Sequence, residues 1–197
     1  GINAIVAVEV PAAWANAEDS KLAAETGNEF VDQLLVPMNR LEGDKLPVSA
    51  FNKYADGTFP CGTSAYEKRG IAINVPEWQI DTCIQCNQCA FVCPHAAIRP
   101  VLMTEEEAAN APASLPSKDA IGAKGLKFAI NISPLDCTGC GNCAQICPAP
   151  KGKALEMKPL ASQLAKTVNW DYAMKEVTPK ANPMNKKTIK GVQFEQP

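Results

Sequence analysis

The chain has 197 residues, of which 46% are hydrophobic and 20% charged, a balance typical of a folded globular protein rather than a disordered one. The formal net charge of −2 argues against a nucleic-acid binder that works by neutralising phosphates, and no apolar run reaches the roughly 18 residues that a membrane span needs. The opening stretch is interrupted by Glu9 and Pro11 and follows no basic segment. It therefore resembles neither a membrane span nor a signal peptide, and we expect a cytoplasmic protein.

Residues 1–70 contain no cysteine motif and predict an N-terminal extension. The segment at 2–14, INAIVAVEVPAAW, is rich in Ile and Val and predicts one or two β-strands. Residues 17–36 predict a helix, with one apolar side formed by Phe30, Val31, Leu34 and Leu35. Frequent Pro and Gly between 37 and 62 predict a loop-rich stretch.

Eight of the nine cysteines form two motifs of identical spacing, C-x2-C-x2-C-x3-C, each followed by proline. The motifs are Cys83, Cys86, Cys89, Cys93 and Cys137, Cys140, Cys143, Cys147, and each member of the second lies 54 positions after its counterpart (83 to 137). A disulfide framework fits poorly, because nothing marks export. Zinc sites typically take one C-x2-C pair from each of two separated segments. The run closed by Pro is typical of bacterial ferredoxins with [4Fe–4S] clusters, which we favour over zinc.

In two-cluster ferredoxins the fourth cysteine of each motif binds the other cluster. Applied here, this rule gives cluster I the ligands Cys83, Cys86, Cys89 and Cys147, and cluster II the ligands Cys137, Cys140, Cys143 and Cys93. Gly139 and Gly141 should let the second loop approach its cluster closely. Apolar packing around the clusters is expected from Ile84, Phe91, Val92, Ile98 and Ile146. The ninth cysteine, Cys61, has no partner at ligand spacing and is expected to be a free thiol without a ligand role.

The remaining patterns surround the two motifs. Short strands are predicted at 72–78 and 127–133, each leading into a motif, and at 154–159 after the second motif. The expected fold is α+β, a two-[4Fe–4S] bacterial ferredoxin-like core at 71–160 with an N-terminal strand/helix extension and a loop-rich C-terminal tail. An insertion at 100–126 should form a helical turn at the acidic run 105–107 and then an exposed loop.

From residue 151 onward the chain has nine lysines and four acidic residues. This balance predicts that 161–197 is a solvated, extended connector; the alternative is a surface for an acidic electron carrier. No phosphate-binding loop, dinucleotide fingerprint, metalloprotease motif or Ser/His/Asp set occurs, and the sequence has one His. We therefore predict no catalytic residue, and a function in electron transfer.

Five segments give a more particular resemblance. They are GDKLPVSAF (43–51), DGTFPCGTSAYEKRGIAINVPEW (56–78), CIQCNQCAFVCPHAAIRP (83–100), SPLDCTGCGNC (133–143) and KALEMKPL (153–160). They closely resemble the iron–sulfur domain of pyruvate:ferredoxin oxidoreductases (pyruvate synthases), and the similarity extends over nearly the whole chain.

This resemblance implies that the chain is a piece of an enzyme that oxidatively decarboxylates pyruvate with coenzyme A to acetyl-CoA and CO2, passing electrons to ferredoxin or flavodoxin. The two clusters would be the medial and distal ones. Thiamine diphosphate, Mg2+, a third [4Fe–4S] cluster and the pyruvate and coenzyme A sites would lie outside this chain, in a homodimeric parent. Residues 1–70 would pack against the parent enzyme, and 161–197 would lead to a thiamine-diphosphate domain. The alternative is a free-standing ferredoxin-type carrier or small electron-transfer subunit, which would not need the first 70 residues.

Overall fold

The computed structural model describes residues 2–17 and 26–195. The chain forms two compact units that divide between Glu67 and Lys68. In the described part of the chain, no helix is long and apolar enough to cross a membrane.

The predicted strands at the N-terminus are wrong. Short 3-10 helices cover Ile2–Ala4 and Ala12–Asn16, and residues 5–10 between them have no regular secondary structure and pair with no other strand among the described residues. The side chains of Ile5, Val6 and Val8 are about four-fifths exposed (78–81%). An apolar, β-branched segment forms a strand only when a second backbone satisfies its N–H and C=O groups, which propensity alone does not supply.

A helix follows from residue 29. After residues 29–30, the segment Val31–Leu35 is wound as a π-helix and continues into α1 (Val36–Asn39). Phe30, Val31 and Leu34 are buried and Leu35 is half-buried, which confirms the predicted apolar side. The Val36 N–H bonds to the Val31 carbonyl, five residues back, because the ring of Pro37 disturbs the normal ladder at this turn. The earlier part of the predicted helix, at 18–25, lies outside the described residues.

The rest of this unit is built from short turns, as the Pro and Gly content predicts. The 3-10 helices Gly43–Lys45, Val48–Tyr54 and Thr63–Tyr66 alternate with loops. Its small core centres on Phe30, whose ring lies 4.9 Å from that of Tyr54 and 5.3 Å from that of Phe59.

The second unit contains two small antiparallel sheets. Strand β1 (Asn74–Trp78) pairs with β5 (Leu155–Pro159). Strand β4 (Lys127–Ile132) lies between β2 (Ile98–Met103) and β3 (Lys118–Asp119). The strands predicted at 72–78, 127–133 and 154–159 are confirmed, whereas β2 was not predicted. It follows the first cysteine motif as β5 follows the second.

Strand β2 also corrects the prediction of an insertion at 100–126. Val101, Leu102 and Met103 are buried and pair with β4, so a loop interpretation starting at position 100 is wrong for these residues. The predicted helical turn is confirmed as α3 (Glu105–Asn110), which begins with a capping box between Thr104 and Glu107.

The prediction of an extended C-terminal connector is wrong. Residues 160–192 include helices α5 (Leu160–Gln163), α6 (Thr167–Lys175) and α7 (Ile189–Val192), with a 3-10 turn at Leu164–Lys166. Helix α6 packs on β4, and the Phe194 ring lies 6.5 Å from that of Phe128. Few apolar residues suffice because the tail packs on a core that the ferredoxin-like part already provides.

The core of the second unit joins the sheets to two short helices that arise from the cysteine motifs, α2 (Gln88–Phe91) and α4 (Asn142–Ile146). The helices pack against each other. Their buried residues share one cluster with strand residues: Cys89, Cys143, Cys147, Ile98, Leu102, Phe128, Ile130 and Leu155. Each cysteine motif therefore contributes buried residues to the hydrophobic core: Cys89 from the first, and Cys143 and Cys147 from the second.

Candidate metal centre

The two cysteine loops share the same backbone bends. Gln85 and Asn87 have φ of 58° and 60°, and Gly139 and Gly141, 54 positions later, have φ of 73° and 77°. In each loop these left-handed residues lie between the first three cysteines, where they turn the chain tightly. The sequence repeat thus extends to backbone conformation.

The structure brings together the four ligands expected for cluster II. Cys93 of the first motif lines one cavity together with Cys137, Cys140 and Cys143 of the second. Cys143 lies on α4, while Cys93 follows α2, so packing of the two helices places the fourth thiol opposite the other three. Pro76 and Met157, from the β1–β5 sheet, close part of the same cavity.

The ligands expected for cluster I are Cys83, Cys86, Cys89 and Cys147. Cys89 and Cys147 are both buried in the main core cluster, against which Cys83 packs. Cys86 and Cys83 are close enough to Cys89 that their charges act on its pKa, together with Cys143. Cys61, in contrast, is exposed and belongs to the N-terminal unit.

The environment of these thiols suits a cationic cofactor. Burial raises the pKa of Cys143 to about 11, and it also raises the pKa of Cys89 and Cys137. Thiolates in such surroundings form when positively charged iron binds them. Within residues 2–17 and 26–195, no group of three or more His, Cys, Asp or Glu side chains is placed to hold a metal ion. Cys93, Cys137, Cys140 and Cys143 line one cavity.

Backbone amides point at several ligand sulfurs. The Gln85 N–H lies 3.4 Å from the Cys83 Sγ, the Gly139 N–H 3.3 Å from the Cys137 Sγ, and the Ala154 N–H 3.3 Å from the Cys147 Sγ. A Cβ on Gly139 would lie 2.8 Å from the Asn74 carbonyl oxygen, so this loop lies directly against β1. The donor set and the tight loops fit a [4Fe–4S] cluster.

The expected apolar shell is only partly present. Ile98 is buried at 4% exposure, but Ile84, Phe91 and Ile146 are 44%, 55% and 42% exposed. These three side chains are therefore not buried, and their packing around the clusters stays a prediction; Val92 is half-buried. The buried cysteines contact strand residues such as Phe128 and Leu155, whose proximity a local motif could not indicate.

Several polar residues that hold the first loop were not identified from the sequence. The Gln85 amide donates to the Asp119 carbonyl at 2.8 Å and accepts from the Ile121 N–H at 2.8 Å, and Asn87 donates to the Lys190 carbonyl at 3.0 Å. Both side chains are only 1% exposed. The constant offset between the motifs was the available signal, because it aligns Gln85 with Gly139 and Asn87 with Gly141.

A separate cavity lies beside β1, β4 and the helical tail. It is lined in part by Trp78, Asn131, Ser114 and Asn169. Asn131 is 0% exposed, and among the described residues neither of its amide atoms, nor the Trp78 indole N–H, has a hydrogen-bond partner.

Comparison with known proteins gives two family matches. Residues 82–150 match a 4Fe-4S dicluster domain, and residues 17–72 match EKR, a domain of unknown function. The chain is 58% identical over 197 residues to the pyruvate-flavodoxin oxidoreductase of Enterobacter agglomerans, covering all of this chain and 17% of that protein. It is 52% identical over 200 residues to the pyruvate:ferredoxin oxidoreductase of Moorella thermoacetica, again covering 17% of it.

A third relative, the mitochondrial pyruvate dehydrogenase [NADP(+)] of Euglena gracilis, is 44% identical over 96% of this chain and 10% of its own length. The chain thus spans a sixth or less of the curated relatives it matches. The resemblance inferred from the sequence is confirmed: over its whole length the chain is similar to a segment of the pyruvate:ferredoxin and pyruvate-flavodoxin oxidoreductases, and that segment includes a 4Fe-4S dicluster domain.

Proposed function

We propose that this chain carries electrons through two [4Fe–4S] clusters within a 2-oxoacid oxidoreductase. Cluster I is held by Cys83, Cys86, Cys89 and Cys147, and cluster II by Cys137, Cys140, Cys143 and Cys93. The observation that carries the proposal is the cavity in which Cys93 joins the three cysteines of the other motif. This crossed arrangement is the one that two-cluster ferredoxins use.

When bound, each cluster supplies a carrier for one electron at a time. The chain binds it through thiolates, directs N–H groups at the ligand sulfurs, and surrounds the buried ligands with core side chains that limit contact with water. Because transfer between carriers needs no substrate bond to change, the chain requires no catalytic residue of its own.

The relatives' names support a parent enzyme that acts on pyruvate and passes electrons to ferredoxin or flavodoxin. In this proposal the parent forms acetyl-CoA and CO2 with coenzyme A, and the two clusters are its medial and distal ones. Thiamine diphosphate, Mg2+ and a third cluster bind outside this chain, in a cytoplasmic homodimer. Residues 1–70 pack against other domains, and the C-terminal segment connects to the thiamine-diphosphate domain. Identity to relatives across the N-terminal unit favours this over a free-standing carrier.

The purified chain tests the proposal directly. Prepared without oxygen, it should contain about eight iron and about eight sulfide, as two [4Fe–4S] clusters require, and its brown absorbance should bleach with dithionite. It should pass electrons from dithionite to a ferredoxin, yet reduce no acceptor when given pyruvate, coenzyme A and thiamine diphosphate. Bound zinc without sulfide contradicts electron transfer, and pyruvate-dependent reduction contradicts the placement of catalysis outside the chain.

Replacing the fourth cysteine of one motif tests whether that cysteine binds the cluster of the other motif. Cys93→Ala should remove or convert cluster II while leaving cluster I, because Cys93 lines the cavity of Cys137, Cys140 and Cys143. Cys147→Ala is the matched control and should have the opposite effect. Electron paramagnetic resonance (EPR) of the reduced proteins distinguishes the two clusters. If Cys93→Ala loses the cluster of Cys83, Cys86 and Cys89 instead, the ligand assignment is wrong.

A further inference from the structure

Three lysine side chains bind the backbone around the cluster I ligands. The Lys118 Nζ donates to the carbonyl oxygens of Ile80 and Cys83, both at 2.6 Å. The Lys153 Nζ donates to the carbonyl oxygens of Gln145 at 2.8 Å and Cys147 at 2.9 Å. Two of the four cluster I ligands thus have an ammonium group on their own carbonyl oxygen.

The third lysine reaches the same site from the C-terminal tail. Lys190 lies on α7, donates through Nζ to the Ile121 carbonyl at 2.7 Å, and accepts at its own carbonyl from Asn87 within the first cysteine loop. It is close enough to Cys83 and Cys86 to interact with their charges. We call Lys118, Lys153 and Lys190 the cluster I lysines.

These charges are not neutralised by nearby carboxylates. Over the described ranges, the side chains of the cluster I lysines donate only to backbone carbonyl oxygens, and none forms an ion pair. The lysine bound beside the first cluster II ligand differs: Lys68 pairs with Asp136, the residue before Cys137. Its charge is therefore largely cancelled where it would act on cluster II.

Hydrogen bonds to sulfur favour the same cluster. Among cluster I ligands, Cys83 and Cys147 accept from the backbone N–H groups of Gln85 and Ala154. For cluster II, the corresponding donor in the described residues is that of Gly139 to Cys137. Such donors and nearby positive charge both raise the reduction potential of an iron–sulfur cluster, because they stabilise the added negative charge.

Exposure acts in the opposite direction. Cys140 is exposed, so cluster II has more contact with water, which also stabilises added charge. Lysine charges act over a longer distance than water dipoles, and they are screened less at the half-buried Lys118 and Lys190 than at the exposed Lys153. The lysines should therefore determine the order of the two potentials.

We propose that the cluster I lysines make cluster I the more easily reduced of the two clusters, so that an electron entering this chain resides on cluster I. The inference rests on the proposed function, since it concerns the same ligands. The step it describes is simple: one electron from a low-potential reductant adds one negative charge to cluster I, and no proton is taken up.

The test is a redox titration of the full 197-residue chain, followed by EPR. Lys118→Gln removes the charge but keeps a donor for the two carbonyl oxygens. We expect the equilibrium constant for reduction of the higher-potential cluster to fall about tenfold. This is the size of the Coulomb interaction with one charge about 10 Å away at an effective dielectric constant of about 20. For one electron this fold-change corresponds to about 59 mV.

Further variants separate charge from structure. Lys118→Arg retains the charge and should keep the potential of this step. Lys153→Gln should lower the potential of the same step that Lys118→Gln lowers. Lys175→Gln is the control, because it removes an equal charge from an exposed side chain paired with Asp171 at 3.2 Å. Cys147→Ala identifies the step that belongs to cluster I.

The outcomes distinguish this inference from the proposed function. If iron, sulfide and both reduced signals are present but Lys118→Gln leaves the cluster I step unchanged, shifts both steps equally, or matches Lys175→Gln, the inference is wrong. It is also wrong if cluster I proves to be the lower-potential cluster. If the chain contains no sulfide, the proposed function itself has failed.

Discussion

At the scale of single residues, the two cysteine loops adopt the same backbone bends with different residue types. Each needs left-handed backbone at two positions, which costs roughly 1–2 kcal/mol for a residue with a side chain. The second loop uses Gly139 and Gly141, while the first uses Gln85 and Asn87 and holds them with buried side-chain hydrogen bonds. The first loop is therefore connected to the insertion and the tail.

The glycines of the second loop should differ in their tolerance of a methyl group. In Gly139→Ala the new Cβ would meet the Asn74 carbonyl oxygen at 2.8 Å in addition to the backbone strain, whereas at Gly141 nothing lies within 4 Å. We expect Gly139→Ala to destabilise the protein by at least about 2 kcal/mol and Gly141→Ala by about 1 kcal/mol. Thermal unfolding and iron content measure the difference. Equal losses would show that the contact with β1 does not limit this loop.

At the scale of elements, Glu107 connects helix α3 to the C-terminal tail. Its carboxylate accepts from the Thr104 N–H at 2.8 Å, from the Thr178 N–H at 3.0 Å, and from the Lys180 Nζ at 2.7 Å. Burial acts to raise the pKa of Glu107, but these hydrogen bonds lower it to about 2. One side chain thus caps a helix and fixes a segment more than 70 residues away.

Glu107→Gln should destabilise the protein by about 1–3 kcal/mol near neutral pH, because charge-assisted hydrogen bonds are lost. The folded pKa lies below the unfolded value of 4.5, so this stabilisation is complete above about pH 4.5 and is lost as the pH falls towards about 2. The difference from wild type should therefore shrink below about pH 4.5. Circular dichroism during thermal unfolding measures it, with the exposed neighbour Glu106→Gln as control. A difference independent of pH would contradict the ionised state of Glu107.

Strand β4 contains a buried side-chain amide, that of Asn131, which we expect to contribute little to the stability of the fold. Asn131→Val should leave stability unchanged or raise it by up to about 1 kcal/mol, because removing an unsatisfied buried polar group is favourable. Asn169→Val, at the same cavity, should cost about 1–3 kcal/mol, since Asn169 accepts from Ser114 Oγ at 2.6 Å and donates to the Ser114 carbonyl at 2.9 Å. Chemical unfolding compares the two. A large loss in Asn131→Val would show that its amide has a partner, such as ordered water.

At the scale of the whole molecule, the chain divides into a unit with eight motif cysteines and an N-terminal unit with one. The N-terminal unit has a small core around Phe30 and leaves the segment at 5–10 exposed. The motif-bearing unit builds its core around the cysteine loops and covers them with the helical tail. Cluster binding and folding should therefore be coupled in the second unit.

This division predicts that Cys61 is dispensable. Cys61→Ser should keep about eight iron per chain and both reduced-cluster signals, because the thiol is exposed and lies outside the motif-bearing unit. Cys140→Ser, also at an exposed cysteine, is the comparison and should lose or alter cluster II. Metal analysis and EPR check both. Loss of iron in Cys61→Ser would identify an unexpected ligand.

The cysteine spacing was enough to predict [4Fe–4S] chemistry, and local patterns predicted the strands that lead into the motifs. Cysteine spacing is local: three thiols separated by two residues must lie on one tight turn, whatever the rest of the chain does. The spacing also predicts that Cys93 crosses to the second motif, and Cys93 lines one cavity with Cys137, Cys140 and Cys143; its role as a ligand stays a prediction.

The tertiary structure alone decided which segments surround the clusters. Residues 5–10 resemble a strand but find no partner in the described chain, whereas 98–103 become one because β4 pairs with them. The tail looks like a solvated connector because its lysines outnumber its acids, yet Lys180 and Lys190 bind groups more than 60 residues away. Pairing and ion contacts between distant segments depend on the whole fold, and a local pattern carries no information about them.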